Sequence, residues 1–318
     1  MTNRVHRGRA DRPVLASRLA ATGGPLDWTR DGADWPLRAF SRFVDAGGLR
    51  WHVQVMGQGP VALLVHGTAA ATHSWRDLAP LLARRFTVVA PDLPGHGFTE
   101  PLPASRVSLP GFARALGDLV QALGLPPSLA VGHSAGAAIL ARMCLDGRIA
   151  PRALVSLNGA LLPPRGWAGL LFLPTARLLT WNPFIPHFVA WRAADPRAVA
   201  RLIESTGSRL DAEGAALYQR LVRSPQHVAG TLAMMARWDL RPLMSDLPRL
   251  APALTLVVGT ADGTVSPEEA LQAQRVVPSA RIVRLPGLGH LAHEEAPARV
   301  ADIIVEAALS AGIRAAEA

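Results

Sequence analysis

The chain has 318 residues, 49% of them hydrophobic, which is enough to bury a substantial core in one large domain or in one domain with an inserted subdomain. All 33 basic residues are arginines and the formal net charge is +9, which favours anionic partners such as carboxylated substrates or an acidic membrane surface. No dense arginine tract is interleaved with aromatic residues, so the composition argues against a nucleic-acid partner and leaves a generic basic surface as the alternative.

Residues 1–38 are predicted to be an N-terminal extension that is flexible in part. They contain several arginines but no continuous apolar segment, so we expect no secretory signal. The single cysteine, Cys144, cannot form an internal disulfide, which fits a reducing compartment. We therefore expect a cytoplasmic protein.

Short apolar runs separated by helical patterns indicate an α/β protein. The alternating segments 40–44 and 49–55 are joined by Asp45-Ala46-Gly47-Gly48, which predicts a hairpin. Continuous apolar runs predict strands buried on both faces of a parallel sheet, and they lie at 61–65, 86–90, 129–133, 153–157, 254–258 and 282–285. Helical patterns intervene at 75–83, 109–123 and 266–276. Together they predict a mainly parallel, doubly wound eight-stranded sheet with helices on both faces.

Residues 162–250 interrupt this alternation and are predicted to form a helical cap between two core parts, 39–161 and 251–318. Helical patterns follow one another there, with no strand between them, at 196–204, 211–223 and 225–238. The segment also contains half of the eight tryptophans, which either line an apolar pocket or pack the cap's own helices. The candidate pocket residues are His73, Trp167, Phe172, Trp181 and Trp238.

The most apolar run, residues 167–189, is not predicted to cross a membrane. A spanning helix needs about 20 mostly apolar residues, and this run is broken by Pro174, Arg177 and Pro183, among others. Its apolar surplus fits either a lid over an apolar pocket or a patch that touches a membrane surface. Peripheral membrane contact is therefore a candidate interaction, without a transmembrane segment.

A serine nucleophile is indicated by Gly132-His133-Ser134-Ala135-Gly136, which lies between a strand pattern and a helix pattern. A nucleophile at the tip of so sharp a turn has a strained backbone, and side chains at the flanking positions 132 and 136 would clash with the adjacent strand and helix. The turn exposes the hydroxyl of Ser134 and aims the N-terminus of the following helix at an anionic transition state.

Asp262 and His290 are the predicted acid and base of a catalytic triad. A serine hydroxyl needs a base to take its proton, and the base needs a carboxylate to orient it. Both residues follow late strands, at the sheet edge where Ser134 emerges, and they come in the order Ser, Asp, His. His293 is the competing base and Asp239 the competing acid.

The apolar strand at 61–65 ends in His66-Gly67-Thr68, which predicts an oxyanion hole. Gly67 lets the backbone turn close to the nucleophile, so that the Thr68 amide joins the Ala135 amide. His66, His133 and His96 are expected to be supporting rather than catalytic. Neither a metal site nor a phosphate or dinucleotide loop is indicated, so we expect no cofactor.

Taken together, these motifs closely resemble the α/β-hydrolase superfamily. The resemblance rests on His66-Gly67, Asp92-Leu93-Pro94-Gly95-His96-Gly97, the serine turn, Asp262 and Gly289-His290. Further stretches resemble the magnesium-chelatase accessory family, which is associated with bacteriochlorophyll biosynthesis and photosynthesis. They are Arg50–Gln54, Ala71–Pro80, Ala137–Asp146, Ser156–Ala160 and Leu232–Ala236. This second resemblance implies a role near magnesium insertion, with a tetrapyrrole-like substrate and a chelatase contact, and it supplies no reaction.

Two functions fit the sequence. The first is a cofactor-independent serine hydrolase that cleaves an ester or related acyl bond in an apolar substrate. The second is a non-catalytic tetrapyrrole-binding or chelatase-accessory protein that retains the triad as ancestry, although a binding protein has no physical need for all three residues. A carbon–carbon bond hydrolase and a haloperoxidase of this fold use the same triad and stay open. Haloalkane dehalogenases and epoxide hydrolases of the same superfamily are disfavoured, because those enzymes use an aspartate at the position of Ser134.

Overall fold

The computed structural model describes residues 24–163, 182 and 184–314, and its centre is an eight-stranded sheet with the strand order β1-β2-β4-β3-β5-β6-β7-β8. This confirms the predicted α/β architecture with a mainly parallel sheet. The strands are β1 Ser41–Ala46, β2 Leu49–Met56, β3 Val61–Val65, β4 Thr87–Pro91, β5 Leu129–His133, β6 Ala153–Leu157, β7 Ala253–Gly259 and β8 Arg281–Leu285.

Strands β3 to β8 are parallel, whereas the hairpin β1–β2 adds two antiparallel strands at one edge. The hairpin turns at Gly47 and Gly48, which both have positive φ, as the tightest two-residue turns require. Because β5, β6, β7 and β8 run in register side by side, the loops after them open at one edge of the sheet. The predicted nucleophile, acid and base all lie in these loops.

Helices cover both faces of the sheet and bury a separate hydrophobic cluster on each. One cluster contains Trp51 and Phe112, and the other contains Trp75 and Phe86. The flanking helices are α1 Leu78–Leu82, α2 Leu109–Leu123, α3 Ala135–Leu145, α9 Pro267–Val276, α10 Ala292–Glu295 and α11 Pro297–Ser310. Helix α2 illustrates why the sequence folds locally as it does. Ser108 caps its first turn by accepting a hydrogen bond from Gly111 N–H, and Gly124 ends it in the left-handed conformation.

The structure describes five helices in the parts of the β6–β7 segment that it covers, and we call them the helical insertion. They are α4 Ile185–Arg192, α5 Pro196–Ser205, α6 Ala212–Val222, α7 Pro225–Ala236 and α8 Arg241–Asp246. The sequence pattern indicated α5, α6 and α7 but missed α4 and α8, each of which carries a proline in its first turn, where the missing N–H costs nothing. Trp167, Phe172 and Trp181 lie outside the described residues. No helix in the described ranges is long and apolar enough to cross a membrane.

The loop after β4 is held by hydrogen bonds to the buried carboxylate of Asp92. Asp92 accepts hydrogen bonds from Thr72 N–H at 2.7 Å, Phe98 N–H at 2.9 Å and the His52 ring at 2.8 Å. Burial alone would raise the pKa of this carboxyl, but the charge and hydrogen bonds of its neighbours outweigh burial and hold the pKa below its usual value. The loop that carries His96 is therefore fixed against the hairpin and the segment after β3.

Candidate active site

Ser134 lies at the apex of a strained turn between β5 and α3. Its φ of 50° and ψ of −118° are unusual for a residue with a side chain. Strand β6 and the loop after it hold the turn: Ser134 N–H donates to Leu157 O at 3.0 Å, and Ser134 O accepts from Ala160 N–H at 3.1 Å. The residue is 9% exposed, so the hydroxyl is close to the surface of the site without being open to bulk water.

The glycines on either side of this turn are required by close packing. A Cβ atom on Gly132 would lie 2.5 Å from Ala137 Cα, and one on Gly136 would overlap the Val65 carbonyl oxygen. Real Cβ atoms do not approach backbone so closely, so each substitution would force β5, β3 and α3 apart. The steric reason inferred for glycine at 132 and 136 is therefore present in the structure.

Asp262 and His290 form a buried hydrogen-bonded pair. His290 Nδ1–H donates to Asp262 Oδ2 at 2.9 Å. The other carboxylate oxygen, Oδ1, accepts from the backbone N–H groups of Thr264 at 2.7 Å and Val265 at 2.9 Å. Because Asp262 accepts the Nδ1 proton, Nε2 of the neutral ring keeps its lone pair as a proton acceptor.

The helical insertion is hydrogen-bonded to the loop that carries Asp262 and to the loop that carries His290. The carbonyl of Thr206, directly after α5, accepts from His290 N–H at 3.1 Å and from Gly263 N–H at 3.0 Å. Ser208 Oγ accepts from Leu291 N–H at 2.8 Å. One short segment of the insertion is thus bonded to the loop of the acid and to the loop of the base.

The turn after β3 packs directly on the nucleophile. A Cβ on Gly67 would lie 2.9 Å from Ser134 Cβ, so only glycine allows this approach. The N–H groups of Thr68 and Ala135 take part in none of the hydrogen bonds found among the described residues, which leaves both able to bind an oxyanion. Thr68 Oγ1 contacts Met234 Sδ of α7 at 3.7 Å, so the insertion reaches this turn as well.

His66 and His133 support the site through both backbone and packing. His66 Nδ1–H donates to Gly67 O at 2.7 Å, and its Nε2 accepts from Leu93 N–H at 2.9 Å. His133 Nε2–H donates to His290 O at 3.0 Å. Both rings are buried, and burial lowers their pKa, so they stay neutral.

The competing residues lie elsewhere. His293 is buried against the His133 ring, with centroids 4.4 Å apart, and its Nε2 is 2.8 Å from Ser74 Oγ. Burial, followed by the charge of His290, lowers the pKa of His293 to about 3. Asp239 is paired with Arg241 at 2.7 Å near the surface. Neither residue is hydrogen-bonded to Asp262 or His290 in the part of the chain that the structure describes.

Two of the candidate pocket residues are described, and both are packed. His73 is fully buried between Trp35 and Tyr218, with ring centroids at 5.6 Å and 4.6 Å, so it braces its loop and has no exposed surface. Trp238 packs against Phe112 of α2, with centroids 6.2 Å apart. In the described ranges no group of three or more His, Cys, Asp or Glu side chains is arranged to hold a metal ion.

Sequence reasoning assigned no role to a buried polar cluster that joins the insertion to the core. Glu294 accepts hydrogen bonds from Ser74 Oγ–H at 2.6 Å and Tyr218 Oη–H at 2.7 Å, and it pairs with Arg76 at 2.5 Å. Asn158, directly after β6, was also given no role. A polar residue at the end of a buried strand was the available signal, since Asp262 was found in the same way.

A family model of the Alpha/beta hydrolase family matches residues 62–303, which is most of the chain. The chain belongs to this family. Among relatives of this α/β hydrolase is the magnesium-chelatase 30 kDa subunit of Rhodobacter capsulatus, which is 39% identical over 276 residues, or 86% of this chain and 96% of that protein. Both resemblances seen in the sequence are thereby confirmed.

Other comparisons show how widely this α/β hydrolase fold is shared. Haloalkane dehalogenase 2 of Mycobacterium tuberculosis is 27% identical over 290 residues, or 88% of this chain and 98% of that protein. An α/β hydrolase fold protein from Burkholderia ambifaria superposes with a TM-score of 0.71 at 23% identity, covering 84% of this chain and 97% of its own. A thermophilic esterase from Thermogutta terrifontis superposes with a TM-score of 0.67 at 23% identity, covering 85% of this chain and 98% of its own. These solved structures support the fold alone.

Proposed function

We propose that this α/β hydrolase is a cofactor-independent serine hydrolase that cleaves an ester or related acyl bond in an apolar substrate. The observation that carries the proposal is the Asp262–His290 hydrogen bond at the sheet edge where Ser134 occupies a strained turn. Common ancestry alone does not require the buried Asp262 carboxylate to accept hydrogen bonds on both oxygens, one of them from a histidine ring. A chain that only binds a ligand gains nothing from this arrangement.

In the proposed acylation step, His290 Nε2 takes the proton of Ser134 as Oγ attacks the carbonyl carbon. Asp262 stabilises the imidazolium that forms and keeps the ring oriented. The N–H groups of Thr68 and Ala135 bind the oxyanion, and Ala135 begins α3, whose dipole favours negative charge there. When the tetrahedral intermediate collapses, the proton on His290 passes to the departing alcohol and an acyl-Ser134 ester remains.

Deacylation repeats these roles with water as the nucleophile. His290 Nε2 takes a proton from the water as the water oxygen attacks the acyl carbon, and the same two N–H groups hold the second oxyanion. Collapse releases the carboxylic acid and returns the proton to Ser134 Oγ. Every proton is carried by His290, so the proposed reaction needs no cofactor.

For the biological setting, we propose a role in bacteriochlorophyll biosynthesis at or near the magnesium-chelatase step. The support is the similarity to the magnesium-chelatase 30 kDa subunit over nearly its whole length. A carboxyl ester on a tetrapyrrole-like molecule would satisfy both the acyl chemistry and the apolar character proposed for the substrate. We also propose that residues 162–250 are a cap over the site, because Met234 and Thr206 of this segment contact the oxyanion turn and the acid and base loops.

The hydrolase proposal is tested with a fluorophosphonate probe, which forms a covalent bond with activated serines. Wild-type protein should be labelled at Ser134, and the folded Ser134→Ala variant should not be labelled. Ser245→Ala, which removes an exposed serine in α8, is the matched control and should label like wild type. A folded wild-type protein that stays unlabelled would overturn the proposal.

The second candidate is a non-catalytic tetrapyrrole-binding or chelatase-accessory protein, and the name of the 39% identical relative is the observation that favours it. The two are separated by replacing the chromosomal copy in a pigment-making host. If the hydrolase proposal is correct, Ser134→Ala should reduce pigment as strongly as deletion. Pigment loss on deletion alone, together with a Soret-band shift of protoporphyrin on the Ser134→Ala protein, would favour binding.

We propose in addition that the insertion touches an anionic membrane surface. Phe184, the N-cap residue of α4, and Phe188, four residues later in the helix, are 75% and 57% exposed, and Arg192 follows at the same spacing. Aromatic side chains beside a cation suit the interface of an acidic bilayer. The protein should float with phosphatidylglycerol vesicles more than with phosphatidylcholine vesicles, and Phe184→Ser with Phe188→Ser should abolish flotation. Equal recovery with and without vesicles would refute the contact.

A further inference from the structure

Asn158 lies beside Asp262, the acid of the candidate triad. It follows β6, the strand between β5, which leads to Ser134, and β7, which leads to Asp262. Its backbone N–H donates to Val257 O at 2.8 Å, and the residue is 2% exposed. Its φ of 46° is in the left-handed region, which asparagine tolerates better than most residues with a side chain. The backbone therefore turns sharply here and directs a buried amide into the site.

The amide of Asn158 touches both the acid and the loop of the base. Its Nδ2–H₂ group donates to Asp262 Oδ2 at 2.8 Å and to Gly289 O at 3.3 Å. Oδ2 is the same oxygen that accepts the Nδ1–H of His290. Since backbone amides occupy Oδ1, Asn158 and His290 are the side chains that hydrogen-bond this carboxylate among the described residues.

We propose that Asn158 is a positioning residue of the triad that acts through Asp262. This inference rests on the serine-hydrolase function proposed above. A donor on Oδ2 fixes the plane of the carboxylate relative to the imidazole, and a neutral donor stabilises the ionised acid without adding charge. Through Gly289 the same amide also fixes the backbone one residue before His290. Asn158 thereby sets both the orientation and the basicity of His290.

Two substitutions separate this role from a purely structural one. Asn158→Gly removes the amide but keeps the left-handed backbone free of strain, which Asn158→Ala would not. Asn158→Asp keeps the shape and replaces a neutral donor by a second carboxylate beside Asp262. The other titratable group facing His290 among the described residues is His133, whose ring lies 4.8 Å away with His293 behind it, and neither substitution alters it.

We expect Asn158→Gly to lower kcat/KM about tenfold or more, mainly in kcat, because a hydrogen bond to a charged group is lost. In Asn158→Asp the two carboxylates would lie too close to ionise together and would share one proton, which restores a donor to Oδ2. This variant should therefore keep more activity than Asn158→Gly at low pH, and it should lose that advantage as the pH rises and the shared proton leaves. Unchanged kcat/KM and an unchanged profile in both folded variants would overturn the proposal. A loss of thermal stability without these kinetic changes would assign Asn158 a structural role only, and would also overturn it.

A second readout does not depend on turnover. In the full-length protein with ¹³C-labelled histidine, the His290 ring resonance is assigned by its loss in His290→Gln. The pH midpoint of its titration should differ between Asn158→Asp and wild type, because the proton shared by the two carboxylates is released in steps coupled to the ring. If the wild-type protein hydrolyses no ester and takes up no fluorophosphonate, the hydrolase proposal fails while this shift still reports the contact. An unshifted midpoint in a protein that does turn over would refute the role of Asn158 alone.

Discussion

The stability of this chain should fall steeply in mild acid, because several buried histidines must stay neutral in the folded state. Burial lowers the pKa of five of them most strongly, to about 4 for His227 and about 3 for His293. The five are His73, His96, His133, His227 and His293, each no more than 2% exposed. In the unfolded chain each ring has a pKa of about 6.5. The unfolded state therefore binds protons that the folded state does not bind. The free energy of unfolding falls as the pH drops below the unfolded-state pKa of about 6.5.

The size of the effect follows from these pKa directions. At one pH unit below 6.5, each histidine that is protonated only in the unfolded chain lowers the free energy of unfolding by about 1.4 kcal/mol, and five lower it by about 7 kcal/mol. The whole free energy of unfolding of a typical domain is only about 5–15 kcal/mol. The loss continues until the pH approaches the folded-state pKa, which is about 4 for His227. We therefore expect acid unfolding near about pH 5 to 5.5.

Urea unfolding followed by circular dichroism, at several pH values from about 8 down to about 5.5, measures this loss. His73→Leu should reduce the dependence of the free energy of unfolding on pH by the equivalent of one proton. Leucine should be tolerated there, because the ring nitrogens of His73 have no hydrogen bond to lose among the described residues and the ring packs between two aromatic side chains. Ser245→Ala, which removes no titratable group at an exposed position, is the control and should leave this pH dependence unchanged. A chain that keeps its full stability at about pH 5 would refute the reasoning.

Three further predictions concern the site. Gly67→Ala should lower kcat about 10²-fold to 10³-fold, because its Cβ would lie 2.9 Å from Ser134 Cβ and displace the Thr68 amide; wild-type esterase kinetics would contradict this. Asp262→Asn should lower kcat about 10⁴-fold while the fold survives, since His290 would lose its acceptor and adopt the wrong tautomer; a loss below tenfold would argue against the assigned acid. Tyr218→Phe should cost about 2 kcal/mol in urea unfolding, because it removes a buried hydrogen bond to Glu294 at 2.7 Å; equal stability would indicate that Glu294 is satisfied without it.

The fold could be predicted from the sequence because its strands are continuous apolar runs, which have one common explanation in a sheet buried on both faces. All eight strands lie within two residues of their predicted positions, and α2 begins and ends where Ser108 and Gly124 indicate. Helix α4 was missed because Pro186 resembles a helix breaker in a sequence pattern, although a proline in the first turn is harmless. The limits of prediction were therefore set by local ambiguity in the insertion.

For the site, the sequence was informative where chain order and strand ends constrain the chemistry. Ser134, Asp262 and His290 follow three different strands, and the parallel order of those strands makes their loops neighbours. The contacts of Asn158 with Asp262, and of Tyr218 with Glu294, join residues more than 70 positions apart. No local pattern encodes such pairs, because they depend on how the insertion and the loops pack in three dimensions.

The Thr206 carbonyl, bonded at once to the loops of Asp262 and His290, has a consequence for how substrate range can change in such proteins. Insertions of this kind look like exchangeable modules, since they enter and leave the core between β6 and β7. Here residues 206–208 belong to the insertion and are hydrogen-bonded to the loops of Asp262 and His290. A chimera that receives the helices of another insertion without this segment should gain a new pocket lining. It should also lose the hydrogen bonds that hold the loops of Asp262 and His290. A chimera that keeps the host protein's own residues 206–208 should keep turnover while its specificity changes.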